Sequence, residues 1–229
     1  MAGTDQWRLL GTEYQWQQYF DGTARAIAFS EDPSEQDTVR FINDSIIHNG
    51  THGSYVNLIQ KRKDLILVAR LPSNDEKTMA NSLNVELITN PAALDAFVFI
   101  INAKNPVNSL TTKEIQDVYT GKITNWSDLG GLDAPVNAYQ RNDNSGSQEL
   151  MMELVMKDLQ MINAPEMILF SMMGPINQLA QDENGICYTV YFFKQFMAPD
   201  GNIKKIGIEG VQPEDNTMKS KNYKYTTHV

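Results

Sequence analysis

The sequence predicts an α/β fold with mainly parallel sheets. Two observations carry this. Short runs at residues 64–69 and 96–101, apolar but for Asp64, have the length and composition of strands buried on both faces. Around them lie three helix-start signatures: Ser73 with Glu76, Thr111 with Glu114, and Ser145 with Gln148. Each is a hydroxyl followed three residues on by an acid or amide, the spacing of a capping box. Strands that alternate with helices are the pattern of parallel sheets joined by crossovers.

Taken in order, residues 1–20 are mixed and aromatic and read as a strand. After the turn at Asp21 and Gly22, the spacing Ala24, Ile27, Ala28 suits a helix, and 38–47 suits another. Asn49-Gly50-Thr51-His52-Gly53 reads as a Gly-rich turn before a helix over 54–60. The strand at 64–69 stops at Arg70-Leu71-Pro72, and a helix follows over 73–83. A short strand is expected at 85–88, and the second apolar strand at 96–101 ends at Asn105-Pro106. Residues 110–119 form the next helix, with Gly121 just past its end. A loop over 123–131 buries Trp126, and a strand over 136–139 leads into the polar stretch described next. A helix over 148–159 presents Met151, Leu154, Val155 and Leu159 on one face. The methionines that follow it (Met161, Met167, Met172, Met173) read as core filling or a partner-binding surface. Strands at 185–190 and 203–208 and a polar loop over 213–225 complete the reading.

Composition narrows the function. With 41% hydrophobic and 21% charged residues the balance is globular, and 229 residues suffice for one large domain or two small ones. The net charge of −9 argues against nucleic acid, because no basic patch exists to displace counterions from phosphates. Any bound anion must be held by local dipoles and hydrogen bonds against the overall field. Cys187 is the only cysteine, which excludes an internal disulfide and reads as a core thiol. His48, His52 and His228 are too scattered for a metal site, so neither metal nor cofactor is expected. No apolar run is long enough to span a bilayer, and no signal-peptide pattern is visible; an exported protein would be present here in mature or trimmed form.

The stretch Gln140-Arg141-Asn142-Asp143-Asn144-Ser145-Gly146-Ser147-Gln148-Glu149 carries the chemistry. It reads as strand, polar turn and helix start. The first turn of a helix leaves backbone N–H groups without partners and carries partial positive charge. Gly146 lets a ligand approach the backbone, Ser145 and Ser147 add hydroxyls, and Arg141 adds a planar fork of donors. Together they make an anion pocket. The same residues read equally as an ordinary capped helix beside a surface arginine.

The wording of the chain then becomes recognisable. Asn105-Pro106-Val107-Asn108-Ser109-Leu110-Thr111, Tyr119-Thr120-Gly121-Lys122-Ile123-Thr124-Asn125-Trp126, and Arg141-x-Asp143-x-Ser145-Gly146-Ser147 resemble the phosphate-binding component of bacterial phosphate ABC transporters. Gly50-Thr51-His52-Gly53-Ser54-Tyr55, Gly185-Ile186-Cys187-Tyr188 and Gly207-Ile208-Glu209-Gly210-Val211-Gln212-Pro213 are similar to the same family. The resemblance implies a two-lobed periplasmic-binding-protein-like fold of type II. Residues 1–101 would be lobe I, 102–190 lobe II, and 191–229 the end of lobe II and the start of the return crossover. The last strand and helix of the first lobe are missing from the pattern.

Carried over by position, the implied anion ligands are Thr23, Ala24, Thr51, Arg141, Ser145, Gly146 and Ser147, with Asp143 as the acid that pairs with Arg141. The resemblance further implies phosphate or a similar oxyanion as ligand, an ABC permease as partner, no enzymatic activity, and an extracytoplasmic location. Contact with a membrane would come only through a lipid anchor outside this chain. Ala69-Arg70 stands where one branch of the family has an acid that takes the proton of hydrogen phosphate, and Ala24-Arg25 stands where a second hydroxyl is often found. Arg70 reads as a new anion ligand or a solvated strand-end charge. The competing reading is a sensor or surface interaction module with an altered anion site. A hydrolase using Ser147 lacks both a nucleophile elbow and a Ser–His–acid set.

Overall fold

A computed structural model of the chain describes residues 50–68, 70–143 and 145–228. The expectations for residues 1–49, including Thr23, Ala24 and His48, lie outside them, as do Ala69, Asn144 and Val229. The chain divides into two units between Ala93 and Leu94.

The described part of the first unit holds helices α1 (Gly50–Ile59) and α2 (Asn74–Ser82). The Gly-rich segment expected as a turn is already helical: α1 opens at Gly50, whose φ of +68 only a glycine takes readily. Ser73 caps α2 and its N–H donates to Glu76 at 2.8 Å, as its spacing predicts. Residues 64–68 and 85–88 correct the strand expectation: neither is a strand, and Leu65, Leu67 and Ile88 are exposed. Their alternate residues Ile66, Val68, Val85 and Leu87 still pack on Tyr55, Ile59 and Ala80. An apolar run fixes which residues turn inward, but a strand also needs a partner ladder, and none forms among the described residues.

Arg70 is also corrected. It is neither solvated nor offered as an anion ligand: it is 4% exposed and pairs in parallel with Glu76, Nη1 to Oε2 and Nη2 to Oε1, both at 2.8 Å. Its guanidinium lies 5.5 Å from the Tyr55 ring centroid, and the Tyr55 hydroxyl donates to the Arg70 carbonyl at 2.8 Å. His52 Nδ1 meets the same carboxylate at 2.9 Å. Burial pushes the Glu76 carboxyl up, but hydrogen bonds from Arg70 and Ser73 hold it below its ordinary range.

The second unit contains, in order, β1 (Leu94–Asn102), β2 (Ser109–Leu110), α3 (Thr112–Tyr119), β3 (Asn137–Ala138), β4 (Gln140–Arg141), α4 (Gly146–Leu150), β5 (Ile168–Leu169), α5 (Gly174–Gln181), β6 (Gly185–Val190), β7 (Ile203–Lys205), β8 (Gly207–Ile208), α6 (Asp215–Lys219) and β9 (Thr226–His228). The α/β class is as expected. β1, buried from Asp95 onward, is the central strand. It pairs antiparallel with β6 (Phe97↔Val190 to Ile101↔Ile186), with β7 at one end and with β9 at the other. The ladders β3–β6, β2–β8 and β4–β5 are parallel. The five-stranded sheet β3-β6-β1-β7, with β9 also on β1, is therefore mixed, antiparallel around β1 and parallel only at β3–β6, while β2–β8 and β4–β5 are separate parallel pairs. Apolar runs report burial on two faces but carry nothing about the direction of a neighbour.

Phe97, Phe99, Tyr119, Tyr188 and Tyr225 form an aromatic cluster across β1 and β6, with ring centroids 5.4–6.4 Å apart. Thr111 caps α3 with Glu114 returning to its N–H, and buried Trp126 donates to the Asn184 carbonyl at 2.8 Å. Met151 and Met156 are fully buried, and Met161, Met167 and Met172 pack against the core, so these methionines fill space, whereas Met173 is exposed. The helix expected over 148–159 changes winding: after α4 it continues as a π-helical segment, Met151–Met156, closed by the Lys157 N–H on the Met152 carbonyl five residues back. The wider turn brings Met156 inside and leaves Leu159 past the helix and 38% exposed, against the single face expected. Residues 213–225, expected as loop, contain α6 and bury Met218, Tyr223 and Tyr225.

Asp95 is a buried carboxyl. Its Oδ1 accepts from Ala96 N at 2.8 Å and Phe192 N at 3.0 Å, while Oδ2 has no hydrogen-bond partner among the described residues. Burial pushes it up to about 6, against backbone hydrogen bonds that oppose the rise. Between about pH 4 and 6 the folded protein holds this proton and the unfolded chain does not. Stability therefore falls as pH rises through that window, by on the order of 3 kcal/mol. Asp95→Asn is expected to flatten that part of the profile, as read from urea unfolding at pH 4 to 7.

Candidate functional site

β4 and α4 place the predicted anion residues of the second unit. Gln140 and Arg141 pair with Ile168 and Leu169, which ends the strand at the polar turn. Ser145 caps α4, its Oγ accepting from the Gln148 N–H at 3.2 Å. The first-turn N–H groups of Gly146 and Ser147 have no partner inside the helix. Ser147 is buried, and Ser145 and Gly146 are half-buried.

Arg141 is not a surface arginine; it is 4% exposed. Its backbone N–H donates to the Tyr188 hydroxyl at 3.1 Å and to Gln148 Oε1 at 3.3 Å. Its Nε donates to the Leu169 carbonyl at 3.0 Å, so pairing of β4 with β5 orients the guanidinium. Nη1 is buried without a hydrogen-bond partner among the described residues. Burial is the main influence on this group and pulls it below its ordinary value; the charged forms of Cys187 and Tyr188 would raise it.

Asp143, expected as the partner of Arg141, is exposed in the turn, and no ion pair joins them. The guanidinium instead runs along β5. What results is a buried cation with no carboxylate partner among the described residues, on a strand whose backbone meets Gln148 of the capped helix. A buried, uncompensated charge is expensive unless a counter-charge arrives.

In the first unit, Thr51 lies half-buried in the first turn of α1. Cys187 is buried, and its thiol is pushed up to about 12 by burial.

Two residues of the site escape sequence reasoning. Gln148 reads as a capping partner, yet its side chain does not return to Ser145; Oε1 accepts from Arg141 N and from the Tyr188 hydroxyl. Tyr188 sits in the apolar strand β6. The one signal that could have found it is that a phenol inside a fully buried strand needs a hydrogen-bond partner.

A family model described as a PBP superfamily domain matches residues 20–226. Protein SphX of Synechococcus elongatus is 26% identical over 144 residues, covering 59% of this chain and 43% of SphX. The phosphate-binding protein PstS of Bacillus subtilis is 23% identical over 138 residues, covering 60% of this chain and 44% of PstS. The matched stretch thus spans less than half the length of these curated relatives. Among solved structures, a phosphate ABC transporter substrate-binding protein with bound phosphate from Clostridium perfringens superposes with a TM-score of 0.66 at 26% identity, covering 78% of this chain and 69% of that one. Among the described residues, no helix is long and apolar enough to cross a membrane.

Proposed function

The chain belongs to the PBP superfamily, and from that premise we propose that it is a non-enzymatic solute-binding protein for an inorganic oxyanion, phosphate first among them. The observation that carries this is Arg141: buried, oriented by Leu169, unpaired with any acid among the described residues, and joined through its backbone N–H to Gln148 of α4. An anion there would neutralise the guanidinium and accept first-turn N–H groups, which suits an acidic protein that attracts anions only locally. Ser145, Gly146 and Ser147 are the proposed companions of Arg141. Thr51 and, outside the described residues, Thr23 and Ala24 are the proposed further donors. Relatives named for phosphate binding support the choice of ion. By the same likeness, we place the protein outside the cytoplasm as the binding component of an ABC importer, working with a membrane permease.

Titration calorimetry with phosphate and with sulfate tests the reading. One saturable site for phosphate is expected. Absence of binding by both ions removes it, and an anion-independent interaction module becomes the better account.

A further inference from the structure

We infer that Tyr188 and Gln148 are positioning residues for the anion site, a step that rests on the proposed function. The strand that carries Arg141 and the helix start that carries Ser145–Ser147 are joined by a turn, and turns alone hold distances poorly. Here a second connection bypasses the turn. The Arg141 N–H donates to Tyr188 Oη at 3.1 Å; the Tyr188 hydroxyl donates to Gln148 Oε1; and Gln148 Oε1 also accepts from Arg141 N at 3.3 Å. The Gln148 backbone in turn donates to Ser145 Oγ at 3.2 Å. All three members of this network are buried, Arg141 at 4%, Gln148 at 8% and Tyr188 at 0% exposure.

Tyr188 is itself immobilised, because its ring packs on Phe97, Phe99 and Tyr119 at 5.4, 6.1 and 5.7 Å between centroids. The core therefore sets where Arg141 stands relative to the helix start, through one phenol and one amide. Satisfied networks in a low-dielectric interior are stiff, and a preformed site loses less entropy on binding. Neither residue need touch the anion to set its affinity.

The test uses the full chain and inorganic phosphate. Tyr188→Phe keeps the ring and deletes the hydroxyl; Gln148→Met keeps the length and deletes the acceptor. Each is expected to weaken phosphate binding by roughly tenfold. The double variant is expected to be worse than either, because the direct Arg141–Gln148 bond survives Tyr188→Phe and the Arg141–Tyr188 bond survives Gln148→Met. A second readout does not depend on phosphate: the nitrogen-15 NMR signal of the Arg141 Nε–H, held by Leu169, is expected to shift and to exchange faster with water in both variants. A core role alone would lower the melting temperature and leave that signal in place.

Unchanged affinity with an unchanged Arg141 signal overturns the inference, as does an affinity loss that only tracks the unfolded fraction in both variants. If the unmodified protein does not bind phosphate, the proposed ligand fails and the NMR signal alone decides the positioning role.

Discussion

Arg141→Ala is expected to weaken phosphate binding by about 2–5 kcal/mol, the largest effect of any single change in the second unit. The reason is that no acid pairs with it among the described residues. In most buried ion pairs, removing the cation leaves a carboxylate stranded and unfolds the protein as well. Among the described residues no carboxylate pairs with Arg141, so the counter-charge lost would be the proposed anion. The stability of the anion-free protein should change far less than its affinity, since deleting a buried cation relieves desolvation while giving up the Nε bond to Leu169. Calorimetry with phosphate and urea unfolding without it separate the two quantities. A variant that binds as tightly as the parent would show that the guanidinium faces no ligand. Equal losses in both measurements would show that Arg141 serves the fold and not the site.

Glu76→Ala is expected to show the opposite partition in the first unit. Its carboxylate is fully buried and gathers Arg70, His52 and the Ser73 N–H. Removing it strands the Arg70 cation in the interior and uncaps α2. A loss of about 3–5 kcal/mol in unfolding free energy is the expected magnitude. The pH dependence follows from the lowered carboxyl. The stabilising contribution is complete above the ordinary glutamate range and is lost as pH falls through the depressed folded value. The parent should therefore lose stability on acidification below that range through this group, and Glu76→Ala should lose less. Far-UV circular dichroism during urea unfolding at pH 7 and pH 3 reads both effects. Equal unfolding midpoints in parent and variant at pH 7 would contradict the arrangement of this cluster.

Where these two residues stand shows what the sequence could and could not deliver. Arg141 and the Ser145–Ser147 helix start were legible because their chemistry is local: a strand end, a cap and a glycine lie within seven residues of one another. Arg70 was misread because its partner is a helical residue whose capping role gave no hint of a second bond. The strand expected at 64–69 failed for a related reason. Its alternate residues do turn inward, but a ladder depends on a neighbouring chain segment.

The local grammar of this protein, then, was written in its residues: α/β class, β1 and β6 as buried strands, the caps at Ser73, Thr111 and Ser145, and the buried Trp126. Each depends on side-chain chemistry within a few positions, which sequence spacing records directly. Tertiary structure alone decided strand direction around β1, the pairing of Arg70 with Glu76, the isolation of Arg141 from Asp143, and the Tyr188–Gln148 connection. Those contacts, apart from two made within a few residues, join positions far apart in the chain. All are settled by which desolvated groups find partners once the core has closed, and no spacing rule encodes that.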